Sequence, residues 1–141
     1  MARNQKADQL REVPLFSACT DKELAQIARA CDQVVVDADV LVVEEGAKGQ
    51  DFYLIVAGEA SVVRAGRPVA SLGAGQYFGE LSLLDDAPRN ATVTAKTPMT
   101  LLRLGHKEFA AVLDSWPGVA HKLLKQMARR LRSADDQSVT N

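Results

Sequence analysis

The chain has 141 residues, 47% of them hydrophobic, with 17 Lys+Arg against 18 Asp+Glu for a formal net charge of -1. That is one domain's worth of sequence, long enough to bury a core without disulfides, and the balanced charge leaves no electrostatic footprint for general nucleic-acid binding. No apolar run approaches a membrane span, residues 1–10 are too polar for a signal peptide, and Cys19 and Cys31 have no histidine at ligand spacing. A reducing, cytoplasmic setting is expected, with no membrane contact and both cysteines buried as small hydrophobes.

In chain order, residues 1–31 read as a helical segment. Arg3–Arg11 is polar and predicts at most a short, weakly held helix, which the apolar turn Val13-Pro14-Leu15-Phe16 can anchor. Thr20-Asp21-Lys22-Glu23 is a capping box, and Leu24, Ile27, Ala28 and Cys31 follow at i, i+3, i+4 and i+7. Cys19 against Leu24 makes a candidate hydrophobic staple.

Across residues 32–105 the period changes. Val34–Val36, Val40–Val43, Phe52–Val56 and Ala60–Val63 are short β-branched or aromatic runs separated by turn residues. Arg64-Ala65-Gly66-Arg67 predicts a hairpin turn into Pro68–Leu72, and Ala91–Lys96 and Met99–Leu104 add two further strands. About eight short strands at even spacing predict a small antiparallel roll or barrel. Residues 106–132 return to the helical period. Phe109, Val112, Leu113 and Trp116 share one face, and Pro117 opens the next helix. There Ala120, Leu123, Leu124, Met127 and Leu131 form an apolar stripe. Residues 133–141 are polar and expected to fray.

The stretch Gly75–Val93 organises the rest. Phe78-Gly79-Glu80-Leu81-Ser82-Leu83-Leu84 precedes a loop carrying Pro88-Arg89-Asn90-Ala91-Thr92-Val93. Backbone N–H groups opening a short helical turn form an anion site, and Arg89 adds a planar fork matched to phosphate oxygens. The Glu80 carboxylate only accepts hydrogen bonds, so it suits a sugar hydroxyl and repels phosphate. Together they suit a compact ligand bearing hydroxyl and phosphate. Read as a bare pair, Glu80 and Arg89 fit equally well as a structural ion pair tying the loop to the roll.

Taken whole, Phe-Gly-Glu-Leu-Ser-Leu-Leu followed by Pro-Arg-Asn-Ala-Thr-Val resembles the phosphate-binding cassette of the cyclic nucleotide-binding domain family. That family includes kinase regulatory subunits, gated ion channels and the catabolite activator protein. The likeness extends over about Leu10–Arg132. It implies a mainly β, α+β fold: an eight-stranded antiparallel jelly-roll β-barrel with N-terminal helices and two C-terminal helices. It implies that Glu80 holds the ribose 2′-hydroxyl and Arg89 the exocyclic phosphate oxygens. Gly79, Leu81 and Ser82 complete the phosphate site, with Asn90 and Ala91 beside it. It further implies a C-terminal helix that covers the base or dimerises, here Pro117–Arg132, with Leu123, Leu124 and Met127 as contacts.

Asn90 departs from the alanine, serine or threonine usual in the family. Asparagine carries donor and acceptor on a longer arm, which leaves base choice open. Cyclic AMP is the expected ligand and cyclic GMP the second candidate. The chain ends about ten residues after Leu131, so no room is expected for the DNA reader of the catabolite activator branch, and direct DNA binding is not expected. The implied role is a sensor, either a natural single-domain protein or a binding domain of a longer one, acting on an effector protein or its own dimer; the alternative is an interaction module whose pocket no longer binds nucleotide.

Other motifs carry less. Gly73-Ala74-Gly75-Gln76-Tyr77-Phe78-Gly79 misses the dinucleotide fingerprint by one position and lacks a βαβ frame. Ser82 has no nucleophile elbow. His106 and His121 lack ligand partners at metal spacing, and no predicted strand contains a histidine, which argues against a cupin-type metal site. No catalytic residue, cofactor or metal is expected.

Overall fold

The computed structural model describes residues 5–83, 85 and 87–140, with the side chains of Glu80, Leu81 and residues 134–140 outside that description. The order is α1 (Gln5–Arg11), a 3-10 turn (Pro14–Phe16), α2 (Asp21–Ala30), β1 (Asp32–Val36), β2 (Leu41–Val43) and β3 (Phe52–Ala57). Then come β4 (Ala60–Arg64), β5 (Arg67–Leu72), β6 (Tyr77–Phe78) and a second 3-10 turn (Glu80–Leu83). β7 (Thr92–Ala95), β8 (Met99–Leu104), α3 (His106–Ser115) and α4 (Pro117–Thr140) complete the chain.

The strands form two antiparallel four-stranded sheets, ordered β1-β8-β3-β6 and β2-β7-β4-β5. The closed barrel of the sequence reading does not form. Among the described residues no ladder joins the two sheets, and side chains rather than backbone bonds hold them together. Ile55, Met99 and Leu101 from the first sheet meet Ala60, Val93 and Ala95 from the second in one buried cluster. β6 was not foreseen as a strand. It is two residues long and is held by pairing Tyr53 with Phe78 and Leu54 with Tyr77. The expected hairpin is present: Arg64 pairs with Arg67, and Ala65 (φ 53°) and Gly66 (φ 77°) fill the left-handed turn positions.

A second buried cluster lies on the outer face of the first sheet, under the helices. Phe52 and Leu54 of β3 and Leu102 and Leu104 of β8 meet Leu10, Phe16, Leu24, Ile27, Phe109, Val119 and Leu123. β3 and β8 are therefore buried on both faces, which explains why Phe52–Val56 and Met99–Leu104 are apolar runs without clean alternation. The same cluster corrects the weak docking expected of the N-terminus, since Ala7 and Leu10 of α1 are buried. Apolar spacing on α1 does what its propensity alone would not.

α2 starts with the predicted capping box: Glu23 N donates to Thr20 Oγ1 (3.2 Å) and Thr20 N donates to Glu23 Oε1 (2.8 Å). Glu23 is itself buried, and Lys122 of α4 pairs with the same oxygen. Burial raises the Glu23 pKa, yet the Lys122 and Thr20 hydrogen bonds and the Lys122 charge outweigh it and hold the carboxyl below its ordinary value. The pair thus adds stability above the unfolded-state pKa and loses it as pH falls through the lower folded value. The melting-temperature gap between wild type and Glu23→Gln should therefore be present at pH 7 and close on acidification below about pH 4. A gap independent of pH would mean that the carboxylate charge contributes nothing.

Pro117 opens α4 as expected, but two details differ. The helix continues through Thr140 instead of fraying after Arg132, because nothing after Gly118 breaks it. Its apolar stripe is also split. Leu123 and the unforeseen Val119 are buried in the core, and Ala120 and Met127 are half-buried, whereas Leu124 and Leu131 are 69% and 65% exposed. Leu123 is thus a core residue and no free lid contact. Burial raises the thiols of Cys19 and Cys31 to about 11 and about 12, so both stay protonated at neutral pH. Among the described residues no helix is long and apolar enough to cross a membrane, and no group of three or more His, Cys, Asp or Glu could hold a metal ion.

Candidate ligand-binding site

The β2–β3 loop and the β6–β7 connection meet at Arg89. Its backbone N donates to Ala47 O (2.9 Å), and its carbonyl accepts from Gly46 N (2.8 Å), so the β2–β3 loop straps the cassette in place. The residue is only 9% exposed. Its Nη1 donates to Ser82 Oγ (3.1 Å) and Nη2 to the Asp51 carbonyl (2.8 Å). Burial lowers the Arg89 pKa, while Tyr53 and Asp51 act in the opposite direction. A guanidinium remains charged through such a shift. Among the described residues no carboxylate lies in salt-bridge reach of it.

Two glycines make room for this cation. A Cβ on Gly49 would stand 2.7 Å from Arg89 Nε, and one on Gly79 would stand 2.5 Å from Nη1 and 2.8 Å from Asp51 O. Gly79 also has φ +82°, a conformation side chains resist. Gly79 was singled out from the sequence. Gly49 and Asp51 were not, since they lie some 40 positions before Arg89 and only tertiary folding brings them to it. A glycine three residues after the turn glycine Gly46 was the one available signal.

The cassette turn after Gly79 is a 3-10 turn from Glu80 to Leu83, closed by Ser82 N donating to Gly79 O (3.0 Å). The Ser82 amide is therefore committed within the turn, and Ser82 reaches the site through its hydroxyl. The side chains of Glu80, the expected ribose partner, and Leu81 lie outside the described residues. Leu83 is buried in the helix-side core, and His106 Nδ1 at the start of α3 lies 3.2 Å from its carbonyl.

Arg89 faces a cleft of about 570 Å³, within the ~300–1,000 Å³ typical of small-ligand sites. Its lining is mixed: Val43, Val62, Val69, Leu72 and Val93 are apolar, while Ser82, Asp85, Arg89 and Asn90 are polar or charged. Ala91 is buried and Asn90 exposed. The lining thus combines apolar surface with the Arg89 guanidinium. Arg64, which the sequence reading treated only as a turn residue, also lines the cleft.

The fold is an antiparallel double-sheet roll in which the buried guanidinium of Arg89 opens on a cleft of mixed apolar and polar lining. The Cyclic nucleotide-binding domain family profile matches residues 33–115. The chain belongs to that family. It is 45% identical over 106 residues to a cAMP-dependent protein kinase regulatory subunit of Aspergillus fumigatus, covering 74% of this chain and 26% of that one. The counterpart in Neurospora crassa is 39% identical over 132 residues, 92% of this chain and 32% of its own length. The chain thus spans about a quarter to a third of these relatives. Among solved structures, the N-terminal domain of a transcriptional regulator from Streptomyces coelicolor superposes with a TM-score of 0.86 at 37% identity, covering 92% of this chain and 94% of that one. The Thermus thermophilus catabolite activator protein gives 0.73 at 32% identity, covering 90% and 62%.

Proposed function

We propose that this chain is a non-catalytic sensor that binds a cyclic nucleotide, cyclic AMP ahead of cyclic GMP, and passes occupancy through α4 to an effector protein or a second copy. The observation that carries it is Arg89: a buried guanidinium that lines a partly apolar cleft and, among the described residues, has two of its five N–H donors engaged, both by neutral oxygens. A phosphate diester supplies the missing negative charge, and the apolar wall receives the base. Glu80 is assigned to the ribose hydroxyl. The preference for cyclic AMP is supported by the names of the kinase regulatory subunits that this chain resembles.

Transmission is assigned to the connections between cassette and helices. Ser82 binds Arg89, Leu83 contacts His106, and α3 leads into α4. Leu124 and Leu131, seven residues apart on one face of α4, are exposed and suited to a partner or a second copy. Couplings of this kind are worth about 1–3 kcal/mol, some five- to 150-fold in affinity.

Calorimetric titration with cyclic AMP and cyclic GMP tests the reading, after checking that no nucleotide co-purified. Saturable binding with cyclic AMP the tighter ligand is expected. Flat traces with both would favour an interaction module with a silent pocket.

A further inference from the structure

The cleft holds a second guanidinium whose task the phosphate site does not explain. Arg64, the last residue of β4, is exposed and lines the cleft with Val62. Its Nε donates to the backbone carbonyl of Asn90 (3.0 Å), the residue after Arg89. That bond anchors one edge of the group beside the cassette. Nη1 and Nη2 are left as an end-on donor pair, without a partner among the described residues. The fork of Arg89, by contrast, is held in the cassette by Ser82 and Asp51.

The side chains nearest in sequence along this wall, Val62, Val69, Ala70 and Leu72, offer shape and no hydrogen bond. A purine lying on them carries an acceptor, N7, on its outer edge, and guanine adds O6 beside it. A pyrimidine has no ring atom equivalent to N7. We propose that Arg64 donates to the N7 edge of the bound base and so selects purine over pyrimidine cyclic nucleotides. The assignment rests on the cyclic-nucleotide reading above and extends it to the base. Guanine can engage both Nη groups while adenine presents N7 next to an amino donor, so Arg64 also narrows the margin of cyclic AMP over cyclic GMP.

The test is calorimetric titration of wild type, Arg64→Ala and Arg64→Lys with cyclic AMP, 7-deaza cyclic AMP and cyclic GMP, with melting curves to confirm folding. For wild type, removing N7 should weaken binding about tenfold, the scale of one hydrogen bond from a charged donor. For Arg64→Ala the two adenine ligands should agree within about twofold, and cyclic GMP should lose more affinity than cyclic AMP. Arg64→Lys, a point donor without the fork, should keep part of the N7 effect and lose the extra grip on guanine. Wild type that ignores the 7-deaza change, or an N7 effect that survives in Arg64→Ala, overturns the assignment. So does equal weakening of all three ligands by Arg64→Ala, which would make Arg64 a phosphate-side charge. Wild type that binds neither cyclic AMP nor cyclic GMP overturns the sensor reading itself, an outcome distinct from the others.

Discussion

Arg89→Leu should bind cyclic AMP weaker than wild type by about 2–5 kcal/mol, roughly thirtyfold to several thousandfold, while the protein still folds. The loss has two sources. The ligand phosphate gives up the guanidinium assigned to it, and the apolar replacement leaves the Asp51 carbonyl and the Ser82 hydroxyl without their donor. The roll should survive, because the strap from the β2–β3 loop uses the backbone of residue 89, which the substitution keeps. Arg89→Lys should fall between the two, since lysine restores charge without the planar fork. Titration calorimetry beside a melting curve reads both quantities. A folded Arg89→Leu protein with wild-type affinity would remove the cassette from the binding site altogether.

The largest loss of stability is expected from Phe16→Ala, about 3–5 kcal/mol, against a total of about 5–15 kcal/mol for a domain of this size. Phe16 is fully buried and sits edge-on to Phe52 (centroids 5.8 Å) and Phe109 (6.1 Å). One ring therefore joins the N-terminal turn, strand β3 and helix α3. Truncation opens a cavity where three elements meet, and the sheet behind Phe52 is too constrained to close it. Urea unfolding at equilibrium measures the change. A cost under about 1 kcal/mol would show that the N-terminal segment packs independently of the roll.

Local chemistry was readable before any folding. The capping box of α2 needs only Thr20 and Glu23 at the right spacing, and Pro117 sets its own φ at the start of α4. The hairpin at Ala65-Gly66 follows from Gly66, which takes left-handed backbone freely, while Ala65 adopts it against its own preference. The cassette, too, is a contiguous stretch, so Gly79, Ser82 and Arg89 were recognisable together. β6 was missed because two residues carry no period, and its existence depends on the edge that β3 offers. The burial of α1 and the division of the α4 stripe were likewise hidden. Several faces of a helix can be apolar, and the packing partner decides which is covered.

The sequence alone thus determined the family, the caps and turns and the apolar runs that become β3 and β8, all properties of neighbouring residues. Tertiary structure decided that the sheets stay an open pair, and that Gly49 and Asp51 reach back to cradle Arg89. It also decided that Leu123 belongs to the core while Leu124 and Leu131 face outward, and that Arg64 turns into the cleft on the Asn90 carbonyl. These depend on contacts between residues far apart in the chain. Spacing along the chain carries no record of such contacts, because strand register and helix docking set them only when the whole core forms.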